Sequence, residues 1–523
     1  MRIEAIILAG GAGARMRSSL PKSLHTVGGR PLLAHILDAV RALTPRKIHI
    51  VVSAERGDEV RDAIEGDEES GGADITWVPQ DQPRGTGHAA QLAMAGVADA
   101  ATVLVVYGDT PLIETATLRH LLAAAAGDKF GLLTLRADDA AGAAGLGRIV
   151  RDERGRVARI VEEKDATAAQ KALRECNAGF IAAPAAVINA GLAGLGNDNA
   201  QHEFYLTDIV AHAAAAGVDI AACAAAAEQT LGVNTPADLA RAERMFQARQ
   251  ARALLDHGVR IIDPSRFDLR GRCAFGRDCV VDVNVVLEGE VEVGDACVIG
   301  PGCVIRDSRI GDGCVIEAHC VIERADIGAR CRVGPFARLR PGAQLDAEAR
   351  IGNFVEVKNA RLGRAAKANH LAYLGDADIG DAANIGAGVI TCNYDGARKH
   401  RTVIGARAFI GSNSQLVAPL VIGDGATIGA GSTITADVDA HTLAVARARQ
   451  KSVRGWTRPV KRESSGGDCG DGDGGETGDG NAAGDGDGGK TGDGNAAGDG
   501  DGDGGKTGDG NAAGDSHKTA AAK

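Results

Sequence analysis

Four groups of residues in this chain combine types and spacings that could do chemistry. The first is Ala9-Gly10-Gly11-Ala12-Gly13-Ala14-Arg15-Met16, followed by Leu20-Pro21-Lys22. A Gly-rich turn between a strand and a helical segment lets backbone N–H groups close on phosphate oxygens. Arg15 and Lys22 add fixed positive charge where a triphosphate has to be held. It is not a P-loop, which needs Gly-Lys-Ser/Thr, and no acidic residue stands where a dinucleotide site wants one. The second group is Gln80 with Gly85-Thr86-Gly87-His88-Ala89, another Gly-bearing turn that opens a helix. His88 reads as a capping or packing residue without a catalytic role. The third is Asp109, after the apolar run TVLVV (102–106) and Tyr107-Gly108. The carboxyl end of a buried strand is where open α/β sheets place metal or ligand groups, although a helix cap or turn uses the same residue type.

The fourth group lies between Val333 and Gly396, in FARLRPG (336–342), FVEVKNARLG (354–363), ANHLAYLGDADIGDAANIGAG (368–388) and TCNYDG (391–396). Lys358, His370, Tyr373, Asn393 and Tyr394 gather there. A site and a solvated insertion loop are both compatible with such a polar segment.

The elements that position these groups differ. In the first half, the strand-like runs 2–8 and 48–52 alternate with helix-like stretches, the signature of a parallel α/β sheet. In the second half a six-residue beat dominates: Val293-Gly294-Asp295-Ala296-Cys297-Val298, then units opening at Ile299, Ile310 and Ile316. Further units open at Ile327, Val333, Ile351, Leu362, Leu374, Ile379, Ile385, Ile410, Leu416, Ile422 and Ile428. An aliphatic opens each unit, Gly usually follows, and a small residue stands four places on. That period fits a parallel β-helix in which each unit is one flat face of a triangular coil. The beat is interrupted between Val333 and Gly396. Between the halves, Thr235-Pro236-Ala237-Asp238 has the form of a helix start. Leu239, Ala242, Phe246 and Ala253 then share one face until Gly258, which gives one long connecting helix. The stretch 267–271 leads into the repeat.

Composition narrows the function. The chain has 523 residues, too many for one core, and a net charge of −11. From Glu463 onward there are 14 acidic residues against 4 lysines, which leaves 55 acidic against 54 basic in the rest. The body therefore has no charge bias toward nucleic acid or an anionic membrane. No apolar run is long enough to span a bilayer and no signal peptide opens the chain. Of 11 cysteines, Cys297, Cys303, Cys314 and Cys320 take the small-residue slot of the repeat, where a thiol is a compact apolar filler. No CxxC spacing suggests zinc. Free thiols in number imply a reducing compartment, hence the cytoplasm.

With order and spacing kept, LAGGAGARMRSSLPKSLH (8–25), QDQPRGTGHA (80–89), YGDTPLI (107–113), GLGRIV (145–150), VEEKDAT (161–167) and NAGF (177–180) closely resemble the sugar-1-phosphate nucleotidyltransferases. Within them the chain looks most like the bacterial bifunctional N-acetylglucosamine-1-phosphate uridyltransferase/glucosamine-1-phosphate N-acetyltransferases, from about residue 3 to about 460. The resemblance implies an α/β Rossmann-like uridyltransferase domain (1–234), a linker helix (235–258) and a left-handed parallel β-helix of hexapeptide repeats carrying the acetyltransferase (259–462). It implies two reactions: acetyl-CoA with glucosamine-1-phosphate, then UTP with N-acetylglucosamine-1-phosphate, giving UDP-N-acetylglucosamine and pyrophosphate for cell-wall synthesis.

The residues carry over one by one. Leu8, Gly11, Gly13, Arg15 and Lys22 match the nucleotide-phosphate loop, with Arg15 and Lys22 catalytic. Gln80, Gly85 and Thr86 match the uracil readers, and Asp109 and Asn234 the Mg²⁺ ligands. Gly147, Glu162 and Asn177 match the residues that hold the N-acetylglucosamine moiety. Arg340, Lys358, Tyr373 and Asn384 match those that hold the amino-sugar phosphate, and Asn393 matches a position shared with the acetyl-CoA contacts. Those contacts are Tyr394, Ser412, Ala430, Arg447 and the backbone of Ala387, which also matches the oxyanion donor. His370 matches the general base. Ala12 and Ala14 depart from the usual Lys and Thr of the loop. The resemblance also implies a homotrimer that shares the acetyl site between chains, with no nucleic-acid partner and no membrane insertion.

Two other readings are open to the same residues. One is a nucleotidyltransferase with the coil as scaffold or allosteric domain, as in ADP-glucose pyrophosphorylases. The other is a non-catalytic trimeric scaffold that binds nucleotide. The tail from Glu463, with Thr-Gly-Asp-Gly-Asn-Ala-Ala-Gly-Asp at Thr477, Thr491 and Thr507, lacks apolar residues to bury and is expected to be disordered. Its Asp-Gly repeats lack the aliphatic position of a calcium-binding β-roll.

Overall fold

Strand β1 (Ile3–Leu8) is almost wholly apolar, and Ala5, Ile6 and Ile7 have no exposed surface, because the strand lies inside a sheet covered on both faces. The computed structural model describes residues 2–11, 13–66, 74–139 and 142–459; Ala12 and the Gly/Asp-rich tail fall outside them. Strands β2 (Lys47–Ser53), β3 (Asp74–Gln80), β4 (Thr102–Tyr107), β5 (Phe130–Arg136), β6 (Arg148–Arg151), β7 (Val157–Val161), β8 (Glu175–Pro184) and β9 (Ile220–Ala224) complete the sheet. Its order is β9-β5-β8-β4-β1-β2-β3, with the β6–β7 hairpin attached to β8. β1 runs parallel to β2 and β4, whereas β8 is antiparallel to both β4 and β5. Alternate side chains feed two cores: Ile7, Ile48, Ile50 and Leu104 pack on one face, and Ile6, Val51, Val103 and Val105 on the other.

The connecting helix is Pro236–Asp256, 21 residues long. Thr235 Oγ1 accepts from the Asp238 N–H, and Asp238 Oδ2 accepts from the Thr235 N–H, a reciprocal cap. Ala242 and Phe246 are buried with Val27, Leu32 and Leu112 of the sheet half. Ala253 does not share that face. It is exposed, and Ala251 and Leu254 instead turn into the core of the coil. The helix changes partner along its length, so its buried face rotates.

Two sheets of 11 and 16 strands, paired in parallel, form the coil. Val281, Ile299, Ile316, Val333, Ile351, Ala368 and Ile385 stack in register, one above the next. Successive members stand 17 or 18 residues apart, so one turn takes about three units. The aliphatics that open the repeat units are buried. Cys279, Cys297, Cys314 and Cys331 are buried too, and their thiols donate to carbonyls of Gly294, Gly311, Gly328 and Asp346 at 3.0–3.1 Å. The ten described cysteines are all free.

Two expectations about the repeat need correction. Ile261, within the expected 259–462 coil, already pairs with Val281, but Phe267–Phe275 is a full strand against Val285–Val293 rather than a lead-in. Nor does the coil break from Val333 to Cys392. Leu339, Leu345, Val357 and Ala368 keep the buried slots filled, while the outward positions change to polar residues. Only the stretch 393–401 leaves the coil, and there Ile385 pairs with Ile410, 25 residues on. Among the described residues, no helix is long and apolar enough to cross a membrane.

Candidate active sites

A cleft of about 450 Å³ opens at the carboxyl ends of β1, β3 and β4. Leu8, Gly11, Lys22, Gln80, Gly85, Thr86, Tyr107 and Asp109 line it. Leu8, Gln80 and Tyr107 are the last residues of their strands, so the sheet itself sets the floor. Gly85 turns the chain into the helix Thr86–Met94 at φ +108°, and a Cβ there would come within 2.5 Å of the Phe204 carbonyl oxygen. The Gln80 amide donates to His88 Nδ1 at 3.2 Å, so His88 orients Gln80.

Two oxygens from distant parts of the chain converge at the cleft edge. Lys22 Nζ lies 2.5 Å from Asp109 Oδ2 and 2.8 Å from Asn234 Oδ1, and Arg15 Nη2 donates to the same Asn234 oxygen at 2.9 Å. The Val233 N–H bonded to the Asp109 carbonyl at 2.8 Å brings the two together. A carboxylate and an amide oxygen that meet on one cationic point suit a divalent metal that completes its shell with phosphates and water. Among the described residues, no group of three or more His, Cys, Asp or Glu forms a fuller cage.

Beside the cleft, Gly147, Glu162 and Asn177 meet. The Asn177 N–H donates to the Gly147 carbonyl at 2.8 Å, and Thr207 Oγ1 donates to Glu162 Oε1 at 2.9 Å. An irregularity in β8 between Asn177 and Ile181 lets the Gly179 N–H cap Asn177 Oδ1 at 3.0 Å. Burial pushes the Glu162 carboxyl above its usual range; the Thr207 hydrogen bond opposes this, and Asp208 and Asp165 reinforce it. Burial likewise raises the Tyr107 phenol, with Glu162 and Asp109 adding to it. Tyr107 thus links the cleft to the Glu162 group.

On the coil, the residues fall into columns. Asn353 pairs in register with His370, and Ala387, Ser412 and Ala430 follow at the matching corner of later turns. Adjacent turns are ~4.8 Å apart. His370 is exposed, and its Nδ1 is 2.9 Å from Asn353 Oδ1. A proton on Nδ1 donated to that amide oxygen leaves the lone pair on Nε2, which can accept a proton. Arg447 Nη1 donates to the Ala430 carbonyl at 2.6 Å.

A second group holds cations. Arg340 follows Leu339, and Lys358 follows Val357, which pairs with Leu339 one turn on. Arg340 Nη1 donates to Glu356 Oε1 at 2.9 Å, and Glu356 pairs in register with Tyr373. The Lys358 amine sits below the ordinary lysine range through its own desolvation and then the Arg340 and Lys399 cations, while Asp376 acts the other way. Asp376 in turn accepts from Asn393 and Asn359. Lys399 arrives on the loop 393–401. Asp395 braces that loop, accepting from the N–H groups of Arg398 and Ala397 at 2.6 and 2.8 Å and lying 2.7 Å from His400 Nε2. The Arg398 N–H first, then His400, hold the Asp395 carboxyl far below the usual range.

Comparison with known proteins agrees with both halves. Residues 5–261 match the MobA-like NTP transferase domain, 269–362 the GMPPB C-terminal domain, and 401–436 the bacterial transferase hexapeptide (six repeats). The bifunctional protein GlmU of Stutzerimonas stutzeri is 52% identical over 463 residues, 88% of this chain and 100% of that protein. Those of Ralstonia nicotianae and an Azoarcus species are 50% and 49% identical over 462 and 461 residues, each 88% of this chain and 99% and 100% of theirs. The chain belongs to the bifunctional GlmU family.

For this GlmU-family chain, the residues singled out in sequence fall into four groups, one of which is Gly147, Glu162 and Asn177 beside the cleft. Leu8, Gly11, Lys22, Gln80, Gly85, Thr86 and Asp109 share the cleft, with Arg15 and Asn234 at its edge. Arg340, Lys358, Tyr373 and Asn393 lie together, and His370, Ala387, Ser412 and Ala430 follow one corner. Two residues stand apart. Asn384 belongs to the 11-stranded sheet between Lys367 and Phe409, not to the Lys358 sheet. Tyr394 is 61% exposed and donates to the Gly396 carbonyl. Sequence reasoning missed Asn353, Glu356, Asp376 and Lys399. The first three stand one turn from known candidates, so a spacing of 17 or 18 could have found them; Lys399 depends on the loop.

Proposed function

We propose that this chain makes UDP-N-acetylglucosamine from glucosamine-1-phosphate, acetyl-CoA and UTP, by acetyl transfer on the coil and uridylyl transfer in the sheet cleft. The observation that supports this best is two chemically unlike sites on one polypeptide. One is a cleft where Asp109 and Asn234 oxygens converge beside Arg15 and Lys22; the other is an exposed His370 set by Asn353.

In uridylyl transfer the phosphate oxygen of N-acetylglucosamine-1-phosphate attacks the α-phosphorus of UTP. The α–β anhydride bond breaks and pyrophosphate leaves, so no protein nucleophile is needed and positioning dominates. Gln80, Gly85 and Thr86 hold the uracil, and Gly147, Glu162 and Asn177 hold the sugar. Leu8, Gly11 and Gly13 cradle the phosphates, Lys22 bridges the reacting ones, and Arg15 steadies the departing pyrophosphate. Asp109 and Asn234 would hold Mg²⁺, which when bound neutralises phosphate charge.

In acetyl transfer, Arg340, Lys358 and Tyr373 anchor the amino-sugar phosphate. Nε2 of His370 takes the proton lost by the sugar nitrogen as it attacks the thioester carbonyl. The N–H of Ala387, one turn on, faces the developing oxyanion. The amide forms, and CoA leaves as the thiol. Asn393, Tyr394, Ser412, Ala430 and Arg447 carry the acetyl-CoA. Asn384 lies on a different sheet from Lys358, which supports a site completed by another copy, and we place the enzyme as a cytoplasmic homotrimer.

The test supplies all substrates with Mg²⁺ and omits each in turn. CoA release should need only glucosamine-1-phosphate and acetyl-CoA, whereas pyrophosphate release from the same sugar should need every component. Pyrophosphate release without acetyl-CoA would contradict the order.

A further inference from the structure

The side chain after Gly147 is one of the most deeply buried charges in the protein. Arg148 is 2% exposed, on the strand that pairs with Cys176 of β8 and Val161 of β7. Its Nη1 donates to the carbonyl of Leu146, the residue before Gly147. Its Nη2 lies 2.8 Å from Oε2 of Glu163, the residue after Glu162, as an ion pair without hydrogen-bond alignment, and its Nε has no hydrogen-bond partner. A single planar guanidinium therefore ties together the two backbone segments that present Gly147 and Glu162.

Those segments tolerate little movement. A Cβ on Gly147 would lie 2.7 Å from Ile160 and 3.3 Å from Glu162 Oε1, so the Gly147 backbone is close against the Glu162 carboxylate. The Gly147 carbonyl also receives the Asn177 N–H. A shift of either segment changes three sugar-holding positions at once. A buried cation is costly without its partner, so it persists only where the geometry is held.

We propose that Arg148 and Glu163 are positioning residues for the sugar-1-phosphate in uridylyl transfer, acting from behind Gly147 and Glu162 without touching substrate; this rests on the assignment of Gly147, Glu162 and Asn177 to the sugar. The nucleotide half of the cleft is fixed by β1, β3 and β4 and does not depend on this pair. Misplacement on the ångström scale is worth up to ~10²-fold in a positioned reaction.

The test is steady-state uridylyl transfer by the full chain, varying N-acetylglucosamine-1-phosphate and UTP separately, for wild type, Glu163→Gln, Glu163→Asp and Arg148→Lys. Glu163→Gln should raise KM for the sugar phosphate roughly tenfold with kcat changed less, KM for UTP unchanged and acetyl transfer intact. Glu163→Asp should recover part of the loss. Arg148→Lys keeps charge but not the two-pronged reach, and should resemble Glu163→Gln. If Glu163→Gln folds poorly, Glu163→Asp is read by melting temperature: N-acetylglucosamine-1-phosphate should raise it less than in wild type, UTP equally. Equal rises in both KM values, or no change in the sugar KM, would overturn the positioning role. Wild type that fails to use N-acetylglucosamine-1-phosphate would instead overturn the sugar assignment, and this proposal with it.

Discussion

The sheet half and the coil half build sites in opposite ways. In the sheet, each strand ends once, and the cleft collects those ends from Leu8, Gln80 and Tyr107, while Asn234 is carried to Asp109 by one backbone hydrogen bond. In the coil, each turn repeats the last, and the candidate residues lie along a column: Asn353, His370, Ala387, Ser412 and Ala430 occupy comparable corners. The sheet cleft draws its lining residues from strand ends and turns of this chain. The coil's candidate residues spread over more than one face, and Lys358 and Asn384, proposed for one substrate, belong to different sheets. The lesson is that regularity gives accurate spacing along one axis but cannot close a pocket, so closure has to come from an insertion or a neighbour.

The largest expected effect tests the sheet site's self-sufficiency. Lys22→Ala should lower pyrophosphate formation by on the order of 10²- to 10³-fold, because it removes fixed charge at the reacting phosphates, and leave CoA release untouched. Next, co-expressed Lys358→Ala and Asn384→Ala chains, each inactive in acetyl transfer alone, should recover about a quarter of wild-type rate in mixed assemblies if neighbours share the site. Recovery of none would place both residues in a site formed within one chain.

A third change sharpens the same contrast through stability. Leu374 has no exposed surface and sits beneath Tyr373 and Gly375, so Leu374→Ala should cost about 2–5 kcal/mol in denaturant unfolding. Acetyl transfer should fall before uridylyl transfer, since the cavity opens under the coil site alone.

The smallest effect is a pH shift. The Lys358 amine is held below the usual lysine range by desolvation and by neighbouring Arg340 and Lys399, so it loses its proton sooner as pH rises. KM for glucosamine-1-phosphate should therefore climb on the alkaline side before an ordinary lysine would titrate. Lys358→Arg, which stays charged, should move that limb to higher pH.

Legibility followed the same division. The six-residue beat exposed the coil because each opening aliphatic, from Val293 to Ile428, is buried by the same geometry. It faltered between Val333 and Gly396 because the outward residues change there while Leu339, Val357 and Leu374 continue the inward pattern. The sheet site was legible in the Gly-rich turns and in Asp109, whose positions at strand ends carry meaning. What could not be read are relations set by packing: Ala253 turned outward where the helix changes partner, His88 oriented Gln80, and Lys399 reached Lys358 only through a loop braced by Asp395. Arg148 and Glu163 lay in plain view within quoted motifs, yet only burial marks them as a pair.

The separation of the two sites is the central claim, and one experiment addresses it: parallel assay of CoA release and pyrophosphate release in His370→Ala and Asp109→Asn, supplying each half-reaction with its own substrate. His370→Ala should lose acetyl transfer by 10²-fold or more, on the order expected for a general base, and keep uridylyl transfer near wild type. Asp109→Asn should do the reverse. Loss of both activities in either folded variant would contradict the account.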